Sequence, residues 1–200
     1  MTPDTTRARA LATRPAIPDD APALARFIVS AGEGLPLVLW SRLAGPGESA
    51  WRVGEARARR DSGGFSWRNA TLAIDDRGAP IGCFLGYSLP DAPERVDEAE
   101  APPLVRPLLR LEAQAPGTWY LNVLAVAQER QGEGIGAHLL ALACSAAEAA
   151  GRTPSLIVND ANARALRLYE RLGFRPIARE PICKDGWDCA GERWLLMLRA

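Results

Sequence analysis

The residues best suited to chemistry form one glycine-rich run, Gln131-Gly132-Glu133-Gly134-Ile135-Gly136. Glycine lacks a Cβ atom, so consecutive backbone N–H groups in such a run can point at one object. An apolar run of strand length, Trp119 to Val126, precedes it, and an Ala/Leu-rich run at helical spacing, Ala137 to Ala150, follows it. The first turn of that helix adds unpaired N–H groups and the positive end of its dipole. The order strand, glycine loop, helix therefore predicts an anion site, most often for phosphate.

The run differs from one known phosphate-binding loop and formally matches another. A P-loop needs Gly-Lys-Ser/Thr at the helix start, whereas this helix starts Gly136-Ala137-His138, so nothing can meet terminal phosphates and magnesium. The dinucleotide-binding fingerprint G-x-G-x-x-A is satisfied by Gly132, Gly134 and Ala137, and Asp160 follows the next strand at a suitable distance. Against it, the unit lies past mid-chain and no second mononucleotide half follows. The glycines alone therefore leave the dinucleotide-binding interpretation open.

A second motif follows the next predicted strand, Ser155 to Val158. It reads Asn162-x-x-Ala165-x-x-Leu168-Tyr169-x-x-x-Gly173-Phe174. The two motifs, in this order and at this spacing, resemble the GNAT superfamily of acetyl-CoA-dependent N-acetyltransferases, and the resemblance covers Trp119 to Glu180 closely. It implies a mixed α/β (α+β) fold with helices flanking a mostly antiparallel central sheet. That sheet would have six to seven strands and be splayed between the fourth and fifth.

The resemblance implies how acetyl-CoA would be held. Backbone N–H groups of the glycine-rich run would bind the pyrophosphate, with an added side-chain contact from Gln131, while the charge of Glu133 would face solvent. The open edge of the splayed fourth strand would pair with the pantetheine arm. Asn162 would cap the following helix, bond the pantetheine, or do both. The cofactor-binding residues expected on this basis are Leu124, Ala125, Val126, Gln131, Gly132, Glu133, Gly134, Ile135, Gly136, Asn162 and Tyr169.

The resemblance also implies two catalytic groups. The backbone N–H of Leu124 would donate to the oxyanion of the tetrahedral intermediate. Tyr169 would face the thioester sulfur as the general acid, because the leaving thiolate needs a proton or a donor. A core tyrosine on an apolar helix face is the alternative interpretation of Tyr169.

The acceptor side and the general base are less defined. Many family members place a glutamate on the fourth strand, but here that strand carries no carboxylate. Tyr120 and Asn122 share one face of it by alternation, so we expect them to line the acceptor site. Glu33 is an outside candidate for substrate binding and for the base, and Glu112 is a second candidate for the base.

Composition excludes several classes of function. The 24 basic and 24 acidic residues cancel, so no charge field argues for nucleic acid or for an anionic membrane. No apolar run approaches membrane-spanning length, and the first 14 residues hold no apolar signal core. The four cysteines lack C-x-x-C spacing and a histidine cluster, which predicts reduced thiols, no metal site and a cytoplasmic location.

The rest of the chain suggests one domain. We expect a flexible tail over residues 1–13 and a single domain over 14–200, with an acidic, proline-rich insertion at 90–103. The first strand is predicted at Arg14 to Ile17, and Leu35 to Leu43 is an apolar stretch without an assigned element. A predicted helix over 48–61 carries Arg52, Arg57, Arg59 and Arg60. These arginines are interpreted as a solvated face, with a wall of an acceptor site for acidic substrates as the alternative.

The leading hypothesis is therefore an enzyme that moves an acetyl group from acetyl-CoA to a primary amine. The acceptor would be a small molecule or an amino-acid-like metabolite, attacking directly in a ternary complex without a metal. Two alternatives remain: an acetyltransferase acting on protein N-termini or lysines, and an acyl-CoA-binding sensor without turnover. A homodimer is left open.

Overall fold

Seven strands form one sheet in the computed structural model, which describes residues 11–92 and 100–199. The strand order is β1-β2-β3-β4-β5-β7-β6, and every neighbouring pair is antiparallel except β4 and β5, which are parallel. The predicted α/β (α+β) fold with a mostly antiparallel sheet is confirmed. The strands are β1 Ala12–Pro15, β2 Ala70–Ile74, β3 Pro80–Ser88, β4 Trp119–Val126, β5 Pro154–Asn159, β6 Phe174–Pro181 and β7 Arg193–Arg199. The α-helices are α1 Ala21–Ala31, α2 Leu35–Leu43, α3 Ala50–Ala58, α4 Arg106–Glu112, α5 Ile135–Ala149 and α6 Ala163–Arg171.

Strands β4 and β5 separate soon after they meet. Residues 119–121 pair with residues 154–156, yet β4 continues to Val126 and β5 to Asn159. The carboxyl-terminal parts of the two strands therefore diverge, and their backbone edges face a gap. This confirms the predicted splay between the fourth and fifth strands.

A β-bulge at Asn122 accompanies the splay. Val123 pairs with Leu85 and Leu121 with Gly86, so two consecutive residues of β3 face β4 residues on either side of Asn122. Such an extra residue bends its strand and increases the local twist. Gly86 is suited to this position because a Cβ atom there would overlap the ring of Trp119.

The helices bury both faces of the sheet. On one face α5 packs on β3, β4 and β5, and Leu139, Leu140 and Phe174 lie at the centre of that core. On the other face α1 packs on β3 and β4, with Leu24 and Leu72 fully buried. Among the described helices, none combines the length and apolar composition needed to cross a bilayer.

Three elements differ from the sequence-based expectations. Strand β1 starts at Ala12, within the expected tail, because Ala12 to Pro15 pair with β2. The unassigned apolar stretch is helix α2, which starts with Pro36 in its first turn, where a missing N–H costs nothing. The helix expected over 48–61 is shorter, Ala50–Ala58, and Ser49 caps it by accepting a hydrogen bond from Arg52 N. Residues 93–99 of the expected insertion and residues 1–10 of the tail lie outside the described residues.

Candidate active site

The gap between β4 and β5 opens into a cavity of about 440 Å³. Its walls come from the diverging strand ends, the glycine-rich loop, the start of α5 and one face of α6. The lining residues include Leu124, Ala125 and Val126 of β4, Ile157, Val158 and Asn159 of β5, and Gln131, Gly132, Gly134, Ile135 and Gly136 of the loop. The residues expected to hold the pantetheine arm and most of those expected at the pyrophosphate therefore lie around one space, which we call the splay cavity.

The loop and helix start have the geometry of an anion site. Gly132 and Gly134 have φ values of +93° and +83°, which glycine adopts without strain. A Cβ atom at either position would meet no atom within 4 Å, so a ligand can approach the backbone there. His138 N makes the first bond of α5, to Gly134 O at 3.1 Å, which leaves the N–H groups of residues 135–137 without a partner inside the helix. A pyrophosphate fits this arrangement.

Two side chains of the loop are engaged within the protein. Glu133 forms a two-pronged ion pair with Arg130, with both N–O distances 2.8 Å, and it does not line the splay cavity. The charge of Glu133 is thus paired with a cation of the neighbouring turn. The side-chain oxygen of Gln131 accepts a hydrogen bond from Arg164 Nη1 at 2.6 Å. Gln131 therefore positions a cation beside the loop.

Tyr169 lies on α6 with its ring buried and on the wall of the splay cavity. Its ring contacts Phe174 at 5.9 Å between centroids, and its hydroxyl has no hydrogen-bond partner among the described residues. Burial raises the pKa of Tyr169 to about 12, so the phenol stays protonated at neutral pH. Helix α6 therefore presents a neutral hydrogen-bond donor to the cavity.

Asn162 and Glu33 form a polar cluster at one end of the splay cavity. The Asn162 side-chain oxygen accepts from Ala165 N at 3.1 Å, which is the capping role foreseen for it. Its amide nitrogen donates to Glu33 Oε1 at 3.0 Å, and Asn159 Nδ2 donates to Glu33 Oε2 at 2.7 Å. Trp187 Nε1 donates to Glu33 O at 3.0 Å. Glu33 thus lies on the cofactor side and its carboxylate is held by two amides.

A second cavity of about 480 Å³, here called the acceptor cavity, lies on the other side of the bulge. Its walls are mainly apolar and come from α1, α2, the end of α3, the turn after α3, α4 and β4. Four of the described residues line both cavities, so the two spaces border one another: Ala31, Asn122, Ile157 and Trp194. The bulged residue Asn122 donates weakly to Gly64 O, at 3.4 Å, and so fixes the turn after α3 against β4.

Tyr120, Tyr87 and Glu112 form one polar group on the wall of the acceptor cavity. The two tyrosine rings meet edge to face with centroids 5.9 Å apart. Glu112, at the end of α4, is half-buried, and its carboxyl forms no hydrogen bond or ion pair among the described residues. Burial raises the pKa of Glu112 to about 7. Burial, followed by the charge of Glu112, raises the pKa values of both tyrosines.

A sequence model of the acetyltransferase (GNAT) family matches residues 39–174, well over half of the chain. The chain belongs to the GNAT acetyltransferase family. A comparison with curated proteins gave no match.

Solved structures share the GNAT fold with this chain. A structure described as an acetyltransferase has a TM-score of 0.63 and 21% identity, and the match covers 94% of this chain and 98% of that one. An N-acetyltransferase from Staphylococcus aureus Mu50 has a TM-score of 0.62 and 16% identity, with 94% and 99% covered. The NatC complex bound to Gag peptide and CoA has a TM-score of 0.56 and 17% identity, with 94% and 97% covered. At these identities the likeness shows a common fold.

Three cations on the wall of the splay cavity were not foreseen from the GNAT motifs. They are Arg130, Arg164 and Arg171. The spacing of Arg164 and Arg171, seven residues apart on α6, places them on one helix face and was a signal available in the sequence. Positive charge beside the loop suits a cofactor that carries phosphates. Among the described residues no group of three potential metal ligands occurs.

Proposed function

We propose that this GNAT enzyme transfers the acetyl group of acetyl-CoA to the primary amine of a small molecule, by direct attack in a ternary complex. The observation that carries the proposal is the common wall of the two cavities at the bulge. A cofactor in the splay cavity and an amine in the acceptor cavity would meet at Ala31, Asn122, Ile157 and Trp194. Two separate reactants can therefore be held in contact, which direct transfer requires.

The splay cavity accounts for cofactor binding in this proposal. The backbone N–H groups of the loop and of the first turn of α5 would hold the pyrophosphate, and the free edge of β4 at Leu124 to Val126 would pair with the amides of the pantetheine arm. Bound acetyl-CoA supplies the activated acetyl group. Arg164, held by Gln131, would add a charge-assisted bond to a phosphate.

Two groups of this chain would stabilise the developing charges. The backbone N–H of Leu124 lies on the splayed part of β4 and would donate to the carbonyl oxygen under attack. The phenol of Tyr169 would donate to the leaving sulfur from the α6 side of the same cavity. Both donors belong to rigid elements, so little reorganisation is needed during the reaction.

The proton of the attacking ammonium needs an acceptor on the other side of the bulge. We assign this role to Glu112, because its carboxyl lines the acceptor cavity and has no protein partner that competes for it among the described residues. A pKa of about 7 matches a base working at neutral pH. Glu33 is less suited, because two asparagine amides already hold its carboxylate in the splay cavity.

The size and lining of the acceptor cavity favour a small acceptor. Its volume of about 480 Å³ falls among sites for small ligands, which span roughly 300–1,000 Å³. Apolar side chains of Leu35, Leu39, Phe65, Val105 and Leu108 make up much of its wall. An extended peptide would need an open groove through this region, and α2 and α4 wall it on two sides.

The test combines binding with turnover. Acetyl-CoA should raise the melting temperature, by an amount equivalent to about 2.7 kcal/mol of unfolding free energy at a hundred times its Kd. Thiol release and mass spectrometry would then be run against a panel of small amines and a panel of peptides with free N-termini or lysines. Acetylated small amines support the proposal. Acetylated peptides alone would shift the acceptor to proteins, and binding without thiol release would make the chain a sensor.

A further inference from the structure

Two arginines face the acceptor cavity without an acidic partner. Arg57 lies at the end of α3 and is half-buried, and Arg60 lies one turn later and is exposed. Neither guanidinium forms an ion pair or a hydrogen bond within the described residues. The pKa of Arg57 is lowered, first by burial and then by the charge of Arg60. Two adjacent cations in a partly desolvated place are unfavourable unless an anion joins them.

The other arginines near this cavity each have a hydrogen-bond or ion-pair partner. Arg42 also lines the cavity, but it pairs with Asp185 at 2.9 Å. Arg59 donates to Pro18 O at 3.3 Å, and Arg68 pairs with Asp61 at 3.0 Å. Arg57 and Arg60 are thus set apart from their neighbours by facing a cavity with their charge uncompensated.

A structural role for these cations in α3 explains only part of the arrangement. Cations near a helix C-terminus interact favourably with the helix dipole, typically by about 0.3–1 kcal/mol at exposed positions. That effect suits Arg60, which is exposed. It does not favour the burial of Arg57 at a cavity wall, since desolvation opposes its charge.

The turn that carries Arg60 is fixed against the bulge of β4. Ser66 Oγ donates to Arg60 O at 2.6 Å, and Ser66 is buried. Gly64 packs so closely that a Cβ atom there would lie 2.8 Å from Tyr87 Oη and 3.2 Å from Asn122 Nδ2. The arginines are therefore held on the same rigid frame as Asn122, where the two cavities meet.

We propose that the acceptor is an amine whose apolar body carries an anionic group such as a carboxylate, and that Arg57 and Arg60 bind this group. The inference rests on the proposed function, because it names the class of amine that the acceptor cavity takes. In this arrangement the anionic group lies at the α3 side of the cavity, and the apolar body contacts the leucine and aromatic side chains that line it. Glu112 lines the cavity from α4. An amphoteric molecule matches this distribution of charge.

The experiment measures equilibrium binding by calorimetry in the presence of CoA, independently of turnover. The probes are matched pairs that differ in one carboxylate: benzylamine against 4-(aminomethyl)benzoate, phenethylamine against phenylalanine, and butylamine against 5-aminopentanoate. The variants are Arg57→Gln and Arg60→Glu, with Arg52→Gln as the control because Arg52 lies on α3 but does not line the cavity. Arg60 is exposed, so Arg60→Glu tests the idea even if Arg57→Gln folds poorly.

We expect the carboxylated member of at least one pair to bind about tenfold more tightly than its partner. This preference should be lost in Arg57→Gln and in Arg60→Glu, and kept in Arg52→Gln. Equal binding within every pair, or a preference that survives both cavity variants, overturns the inference. Thiol release is measured in parallel: carboxylate-dependent binding without acetylation of any amine would contradict the proposed function and leave this assignment of the anion site standing.

Discussion

The phenol of Tyr169 is a weaker acid than the thiol that it would face. Its pKa of about 12 lies above the value of about 8.5 for an ordinary thiol, so full proton transfer to the leaving sulfur is uphill. In the proposed reaction the phenol would therefore act by donating a hydrogen bond to the developing thiolate. This assigns to Tyr169 an effect on the transition state and little effect on the bound ground state.

Replacing Tyr169 by phenylalanine tests that role. We expect Tyr169→Phe to lower kcat by about 10- to 100-fold, as for the loss of one hydrogen bond to a charged group. The Kd for acetyl-CoA, measured by calorimetry, should change by less than about twofold. A near-unchanged affinity also shows that the variant is folded. An unchanged kcat would remove Tyr169 from the reaction.

If Glu112 is the base, pH should change activity and stability in opposite directions. Its pKa is raised to about 7 from an ordinary value of 4.5, so burial disfavours the ionised form in the folded protein. Activity that needs the carboxylate should rise with pH through about 7. The folded protein should instead lose stability as pH rises from about 4.5 to about 7, because the unfolded chain ionises more readily. The facing groups, Tyr87 and Tyr120, stay neutral over this range because their pKa values are raised.

The variant Glu112→Gln separates these effects. We expect it to remove the rise of kcat through about pH 7 and to stabilise the protein at pH 8 by roughly 2–3 kcal/mol, with little change at pH 4. Thermal unfolding and pH–rate profiles measure both. The exposed Glu170→Gln on α6 is the matched control and should leave both curves unchanged. A pH–rate profile of Glu112→Gln that matches the wild type would exclude Glu112 as the base.

The sequence named Asn162 and Tyr169 through one local motif, whereas it offered Glu33 and Glu112 as candidates without any motif. Asn162 caps α6 through a bond three residues along the chain, and Tyr169 follows from its motif. Glu33 joins Asn159 and Asn162 across 126 and 129 residues, and Glu112 gains its raised pKa from burial by distant elements. Such properties arise only when remote segments pack, so hydrophobic spacing could not reveal them.

At the scale of elements, the glycine loop before α5 depends on backbone conformation. Gly134 has a φ of +83° and open space beyond its Cα, so alanine there is strained without a clash. We expect Gly134→Ala to cost about 1 kcal/mol in stability and to weaken acetyl-CoA binding by about tenfold or more.

Gly151 provides the matched control for that variant. Its φ is +65°, and a Cβ atom there would also meet nothing within 4 Å, but it lies at the far end of α5. Gly151→Ala should lose similar stability and keep its acetyl-CoA affinity, both measurable by thermal unfolding and calorimetry. Equal losses of affinity in the two variants would contradict a specific role for the loop.

The sequence predicted most helices and strands correctly. It left one stretch unassigned, because the pattern of that stretch fits a helix and a strand equally well. Glycines marked the loop, a strand-length apolar run marked β4, and helical spacing of apolar residues marked α5. The stretch that forms α2, Leu35–Leu43, is apolar and short, so a helix and a strand were equally compatible with it. Whether this stretch forms a helix or a strand depends on its packing against α3 and α1, and the spacing of residues does not encode that packing.

At the scale of the whole molecule, Glu33 links the two sides of the splay. It lies between α1 and α2 at a φ of +52°, and it holds the end of β5 and the start of α6 through Asn159 and Asn162. Since β4 and β5 share only three residue pairs, this cluster adds to the packing of α5 on both strands in connecting the two parts of the sheet. The splay should therefore loosen when the cluster is broken and tighten when a cofactor binds.

Glu33→Gln tests this link. One oxygen acceptor becomes an N–H donor facing an asparagine N–H donor, so we expect a loss of about 1–3 kcal/mol in stability. Hydrogen exchange should increase at the ends of β4 and β5, and saturating acetyl-CoA should restore part of the protection. Exchange that is unchanged at both strand ends would show that Glu33 does not hold the splay closed.

The bulge at Asn122 shifts the side-chain alternation of β4 by one residue. Leu121 and Leu124 face the α5 core, while Tyr120 and Val123 face the opposite one, as a strand with strict alternation and no residue 122 would place them. Deleting Asn122 should thus yield a regular β3–β4 ladder with every apolar side chain already on its proper side, and thermal unfolding should find the shortened chain folded. The sheet itself gains nothing from this residue. The extra residue instead places a polar side chain on the wall that two neighbouring compartments have in common.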